Sequence, residues 1–86
     1  MSQLTQVKAA CNQIATTAKS TAGSLSAFKS KFSQQVGEVQ QAIGGSARNV
    51  DKQLVQTLQQ AQKQVEAAAQ ALQQAAQAAS SYGQSI

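Results

Sequence analysis

Of the 86 residues 36 are apolar, but 17 of these are Ala, so only 19 side chains exceed a methyl group and a thick globular core is excluded. A charged fraction of 12% with net charge +4 is too low for charge-driven disorder, and 17 Ala, 18 Gln and no Pro favour long, thin helices. Without His, with Cys11 alone and with Glu38, Asp51 and Glu66 scattered, the chain lacks a general base, a metal cluster and a paired nucleophile; neither an enzyme nor a bound cofactor or metal is expected.

The stretch from Met1 to Cys11 has no basic leader followed by an apolar run, so no cleavable signal peptide is expected. No window approaches the roughly 18 apolar residues of a membrane-spanning helix, and stable membrane insertion is not expected either. Cys11 reads as a small, buried apolar residue.

From Leu4 the positions four and three apart are Leu4, Val7, Cys11, Ile14, Ala18, Thr21, Leu25, Phe28, Phe32, Gln35, Val39 and Ala42, ten of the twelve apolar. That spacing draws one narrow stripe along a helix over residues 4 to 42, whereas a strand would alternate. Lys8, Lys19, Lys29, Lys31 and Glu38 fall outside the stripe. Gly23 and Gly37 lie within the helix and favour a bend near either.

Ile43-Gly44-Gly45-Ser46 holds the only double glycine. Adjacent glycines permit angles a helix does not use, so residues 43 to 46 are expected to turn, with the Ser46 hydroxyl capping the next helix. That second helix is expected over residues 47 to 81, ending before Gly83 as a left-handed cap. Asp51 meets the positive end of its dipole. Its stripe is Leu54, Leu58, Ala61, Val65, Ala68, Leu72, Ala75, Ala79, Tyr82 and Ile86.

Two helices of similar length on either side of a turn make a single all-α domain, 1 to 86, folded as an antiparallel hairpin. A hairpin of this size buries one stripe per helix, with no disulfide or metal to support it. Val36, Ile43, Val50 and Val55 lie beside the two stripes. The expectation is therefore a dimer forming a four-helix bundle, with Leu25, Phe28, Phe32, Val36, Val39, Ile43, Val50, Leu54, Leu58, Val65 and Leu72 supplying the helix packing and the dimer interface.

A short helical hairpin without a signal peptide, turning at hydrophobic-X-Gly near mid-chain, resembles the Trp-X-Gly family, the early secreted antigenic target-like substrates of type VII (ESX-like) secretion. The resemblance spans the whole chain. It rests on Ile43-Gly44-Gly45, where Ile43 stands in place of the Trp and Gly45 matches the motif glycine. It implies a homodimer or a heterodimer with a second such chain, handling by a membrane-bound secretion ATPase, and residence in the cytoplasm before export. Family members serve as export substrates, escorts or virulence-associated modulators at a host or competitor surface. The family's export signal is a Tyr after the second helix with an acid four residues on; Tyr82 matches the first element, whereas Ile86 occupies the acidic position.

Other functions remain open from the sequence: an RNA-binding dimeric hairpin, a membrane-active amphipathic helix pair, and a needle or filament subunit of a secretion apparatus. The pI near 9.7 and the pair Lys29 and Lys31 motivate the first, but seven cations over two long helices are sparse for phosphate binding, and no nucleic-acid partner is expected.

Overall fold

The computed structural model describes residues 2 to 45 and 48 to 86. Two helices fill it: α1, Gln3–Ile43, and α2, Asn49–Ser85. They pack side by side as an antiparallel hairpin with overall extents of 65 × 17 × 15 Å. The 65 Å axis is about what 41 helical residues span at 1.5 Å each.

Local chemistry accounts for the helix ends. The Thr5 N–H donates to Ser2 Oγ at 3.2 Å, so Ser2 caps α1 one residue ahead of the expected start. At the other end the Gly44 N–H donates to the Gln40 carbonyl at 3.1 Å. Gly44 then takes φ 66 and ψ −137, a conformation that L side chains rarely adopt. Gly44 is the one positive-φ glycine among the described residues, so the turn depends on the middle position of the tripeptide, and Gly45 carries no such requirement. The expected Ser46 cap lies outside the described residues.

Three boundary expectations change. Ile43 is the last residue of α1 rather than the first of the turn. Helix α2 does not stop at residue 81; it continues through Gly83 to Ser85. No left-handed cap is needed there, because Gly83 lies inside the helix and is buried. A Cβ built on Gly83 would stand 3.3 Å from the Cβ of Cys11, so this glycine sits at a close approach of the two helices. Helix α1 is continuous through Gly23 and Gly37.

The core is a ladder of small residues. Ala15, Ala18, Ala22, Val36, Ala69 and Ala76 are the buried apolar residues, Ala76 at 1% exposure. Half-buried residues complete two regular rows. In α1 the inward positions run Cys11, Ala15, Ala18, Ala22, Leu25, Lys29, Phe32, Val36, Val39 and Ile43; in α2 they run Asp51, Val55, Leu58, Gln62, Val65, Ala69, Leu72, Ala76, Ala79, Gly83 and Ile86. Both rows keep the 4,3 spacing of a coiled-coil seam.

Candidate functional site: the two broad faces of the hairpin

The inward rows correct the sequence expectation at every second position. Cys11, Ala18, Leu25, Phe32 and Val39, and Leu58, Val65, Leu72, Ala79 and Ile86, point inward as expected. The alternate members do not. Ala15, Ala22, Lys29, Val36 and Ile43 replace Ile14, Thr21, Phe28, Gln35 and Ala42, and Val55, Gln62, Ala69, Ala76 and Gly83 replace Leu54, Ala61, Ala68, Ala75 and Tyr82, although Ala61 stays half-buried. Each helix is thus turned by about half a residue spacing from the expected phase. Toward the open end the reason is steric: Ala15 and Ala22 of α1 and Ala69, Ala76 and Gly83 of α2 let the backbones approach closely, whereas Ile14 and Tyr82 there would hold them apart.

Val36, Ile43 and Val55 therefore belong to the hairpin's own seam rather than to its flank, with Val36 only 4% exposed. Val50, by contrast, is 66% exposed. Lys29 was expected outside the seam and is found in it, half-buried, its Nζ 3.2 Å from Glu66 Oε2 of α2. A lysine is tolerated there because its methylene stem packs against apolar neighbours while the ammonium reaches water and the carboxylate. Gln62 Nε2 donates to Ser33 Oγ at 2.6 Å one helical turn away.

These cross-links set the level of one helix against the other. Lys29 faces Glu66, Ser33 faces Gln62 and Cys11 faces Gly83, so opposite residue numbers total 94 or 95.

Turning the seam inward divides the surface into two unlike broad faces. On one, a groove is lined by Ile14, Ala18 and Thr21 of α1 and by Leu72 and Ala75 of α2. Steps of seven residues, which nearly repeat a helical direction, extend its rows to Val7, Phe28, Gln35 and Ala42 on α1 and to Leu54, Ala61, Ala68 and Tyr82 on α2. No charged residue occurs in either row. The opposite face carries the Lys29–Glu66 pair beside Ser26, Gln70 and Gln73; its rows of seven are Thr5, Asn12, Lys19, Ser26, Ser33 and Gln40, and Lys52, Gln59, Glu66, Gln73 and Ser80, without one apolar residue.

The exposed large apolar residues are Leu4, Val7, Ile14, Phe28, Val50, Leu54 and Tyr82. Five of them stand in the two rows of the apolar face, and Val50 lies one helical step beyond Leu54 on the same side. Phe28, 51% exposed, stacks on the half-buried Phe32 with ring centroids 5.5 Å apart. Tyr82 lies inside α2 rather than after it, and its carbonyl accepts a hydrogen bond from Ser85 Oγ at 2.9 Å. Lys19 and Lys52 lie in the polar rows and Lys29 reaches the same face from the seam beside Glu66, whereas Lys31 and Lys63 lie elsewhere on the helices. No described helix is long and apolar enough to cross a membrane, and the described residues contain no group of three or more His, Cys, Asp or Glu placed to hold a metal ion.

No protein-family model, curated protein or solved structure matches this chain.

Proposed function

We propose that the chain is a small helical interaction protein of the type VII secretion kind, made in the cytoplasm, exported by that route, and active through docking of its apolar broad face onto another helical hairpin. Completion of a four-helix bundle is the event that covers this face. The partner is either the same chain or a second Trp-X-Gly-like chain, and a membrane-bound secretion ATPase handles the assembled pair.

The observation that carries the reading is the unequal pair of faces. A compact monomer of 8.9 kDa exposes about 4,800 Å² by the usual mass scaling, whereas this hairpin exposes 6293 Å². The surplus of about 1,500 Å² is what an elongated hairpin leaves exposed, and it exceeds the roughly 800 Å² that one partner hides in a standard interface. Exposed apolar surface on a small protein marks an interaction site, and here it is backed by a reverse side whose two outer rows are polar. The Ile43-Gly44-Gly45 tripeptide, with its turn beginning at Gly44, and the length of the hairpin support this reading.

The test is export from the native host with and without its secretion ATPase. Loss of the chain from the culture medium on removal of the ATPase supports the reading, and an unchanged level sinks it. If Tyr82 serves in export, Tyr82→Ala lowers the secreted level while leaving the intracellular amount intact; an unaffected level moves the signal to the partner.

A further inference from the structure

We infer that the polar side of the hairpin, opposite its apolar face, seats the chain on an anionic lipid surface, held by the charge of a lysine stripe and without insertion into the bilayer. Such seating is additional to the docking proposed above and leaves the apolar face free for a partner chain.

The net charge is confined to one side of the rod. Lys19 and Lys52 stand in the polar rows, and Lys29 meets Glu66 there. Lys8 lies three steps of seven before Lys29, and Lys63 one step before Gln70, which lines the groove on that side, so both fall on the same side. Lys31 and Glu38 instead continue the row of Ala10 and Thr17, which line the apolar groove. The remaining pair, Arg48 and Asp51, stands at the start of α2. The seven cations and three acids therefore divide as five against one on the polar side, one against one on the apolar side and one against one at the α2 N-terminus. The whole net charge of +4 belongs to the polar side.

The charge is also spread evenly. Glu66 is engaged by Lys29, while Lys8, Lys19, Lys52 and Lys63 are exposed. Because facing residue numbers total 94 or 95, Lys63 is level with residue 31 or 32 of α1, and Lys52 with residue 42 or 43. At 1.5 Å per residue, these four lysines follow one another at steps of roughly 16–19 Å along the 65 Å rod.

That spacing selects the partner. A nucleic-acid duplex carries a charge about every 1.7 Å, and four lysines strung over about 50 Å match few of its phosphates. A bilayer imposes no such register. Its lipids diffuse, so an anionic headgroup can gather beneath each ammonium. The attraction reaches about 10 Å at 0.1 M salt, so a lysine need not touch the surface to be drawn to it. Neither polar row contains an apolar side chain, so nothing on this side enters the hydrocarbon. The rod then lies along the membrane with Ile14, Phe28 and Leu54 turned away from it.

The test is co-sedimentation of the full chain with phosphatidylcholine vesicles, with and without phosphatidylglycerol. Binding is expected only with the anionic lipid, and it should vanish in about 1 M salt, where the screening length falls to about 3 Å. Lys19→Gln and Lys63→Gln should each weaken binding about five-fold. Lys31→Gln removes the same charge from the far side of a rod 15 Å across, and should leave binding within about two-fold of wild type. Circular dichroism checks that each variant keeps its helices. Equal losses for Lys31→Gln and Lys19→Gln overturn the choice of side. Binding that resists salt, or release of a dye trapped in the vesicles, overturns seating by charge alone. Absence of binding, or displacement from the vesicles by single-stranded RNA at equal phosphate concentration, overturns the lipid surface as the partner.

Discussion

Phe28 stacks on Phe32 at 5.5 Å, and this one aromatic pair joins the hairpin's seam to its exposed face. Phe32 is half-buried between the helices, whereas Phe28, one helical turn back, turns half of its ring to solvent. The two rings divide their work: the first holds α1 to α2, and the second is available to another chain.

Phe28→Ala should therefore act on association more than on the hairpin. In the isolated hairpin the loss is about 1 kcal/mol, the worth of a stacked pair, rather than the 3–5 kcal/mol of a deeply buried ring. Phe32→Ala should cost more in the same measurement. Thermal melting at two protein concentrations separates the effects, because only a loss of association changes how the melting temperature depends on concentration. Equal losses for the two variants in the monomer would contradict the division.

How much of this was legible in the sequence follows from the same residues. The two helices and the break at Gly44-Gly45 could be read directly, since a sustained 4,3 stripe has only one regular interpretation and a double glycine interrupts it. The facing row could not. Each helix has an apolar arc three rows wide, and two 4,3 tracings share half of their positions, from Cys11 to Val39 and from Leu58 to Ile86. Hydrophobic size favours the tracing through Ile14, Phe28, Leu54 and Tyr82; close packing favours the one through Ala15, Ala22, Ala69, Ala76 and Gly83. Packing decides, and no recurrence in the sequence separates the two tracings, since Ala61, Ala68 and Ala75 repeat as regularly in the outward row as Ala69, Ala76 and Gly83 do in the inward one. The position of Lys29 in the seam had none, because its partner Glu66 becomes a neighbour only once the chain has folded back.

The turn separates its two glycines. Gly44→Ala should destabilise by about 1–3 kcal/mol, because alanine must take a conformation open essentially to glycine alone. Gly45 has no positive φ and open space around its Cβ position, so Gly45→Ala should lie within about 0.5 kcal/mol of wild type. Chemical denaturation of both variants checks the contrast, and a larger loss at Gly45 would place the strain on the wrong residue.

Within α1, Gly23 and Gly37 are helical and have nothing within 4 Å of a built Cβ. Alanine there removes the entropic cost of glycine without a clash, for a gain of about 0.5–1 kcal/mol each. In a domain of this length each substitution should raise the melting temperature by roughly 4–8 °C per kcal/mol gained. A fall at either site would mean that a bend or a partner helix needs the missing side chain.

The Lys29–Glu66 pair should contribute little. Its side chains are 38% and 50% exposed, so the coupling in a double-mutant cycle should not exceed about 1 kcal/mol and should fade in 1 M salt. Lys29→Leu, which fills the same seam position with an apolar group, should be neutral or stabilising. Lys29→Glu should destabilise by setting two carboxylates together, and adding Glu66→Lys should restore most of the loss. A coupling that persists in high salt would indicate a far more buried pair than the hairpin provides.

Neighbouring alanines near the end of α2 give the sharpest check on which row faces inward. Ala76 is 1% exposed, against α1, whereas Ala75 lines the outer groove with Ile14 and Thr21. Ala76→Leu inserts three carbon atoms between closely packed backbones and should cost about 1–3 kcal/mol. Ala75→Leu meets no such wall in the isolated hairpin, where it should leave the stability within about 0.5 kcal/mol of wild type. The comparison is best made by circular dichroism at concentrations low enough to keep the chain monomeric. If the leucine at 75 were the damaging one, α2 would be turned to the other phase, and Ala68 would leave the outer face.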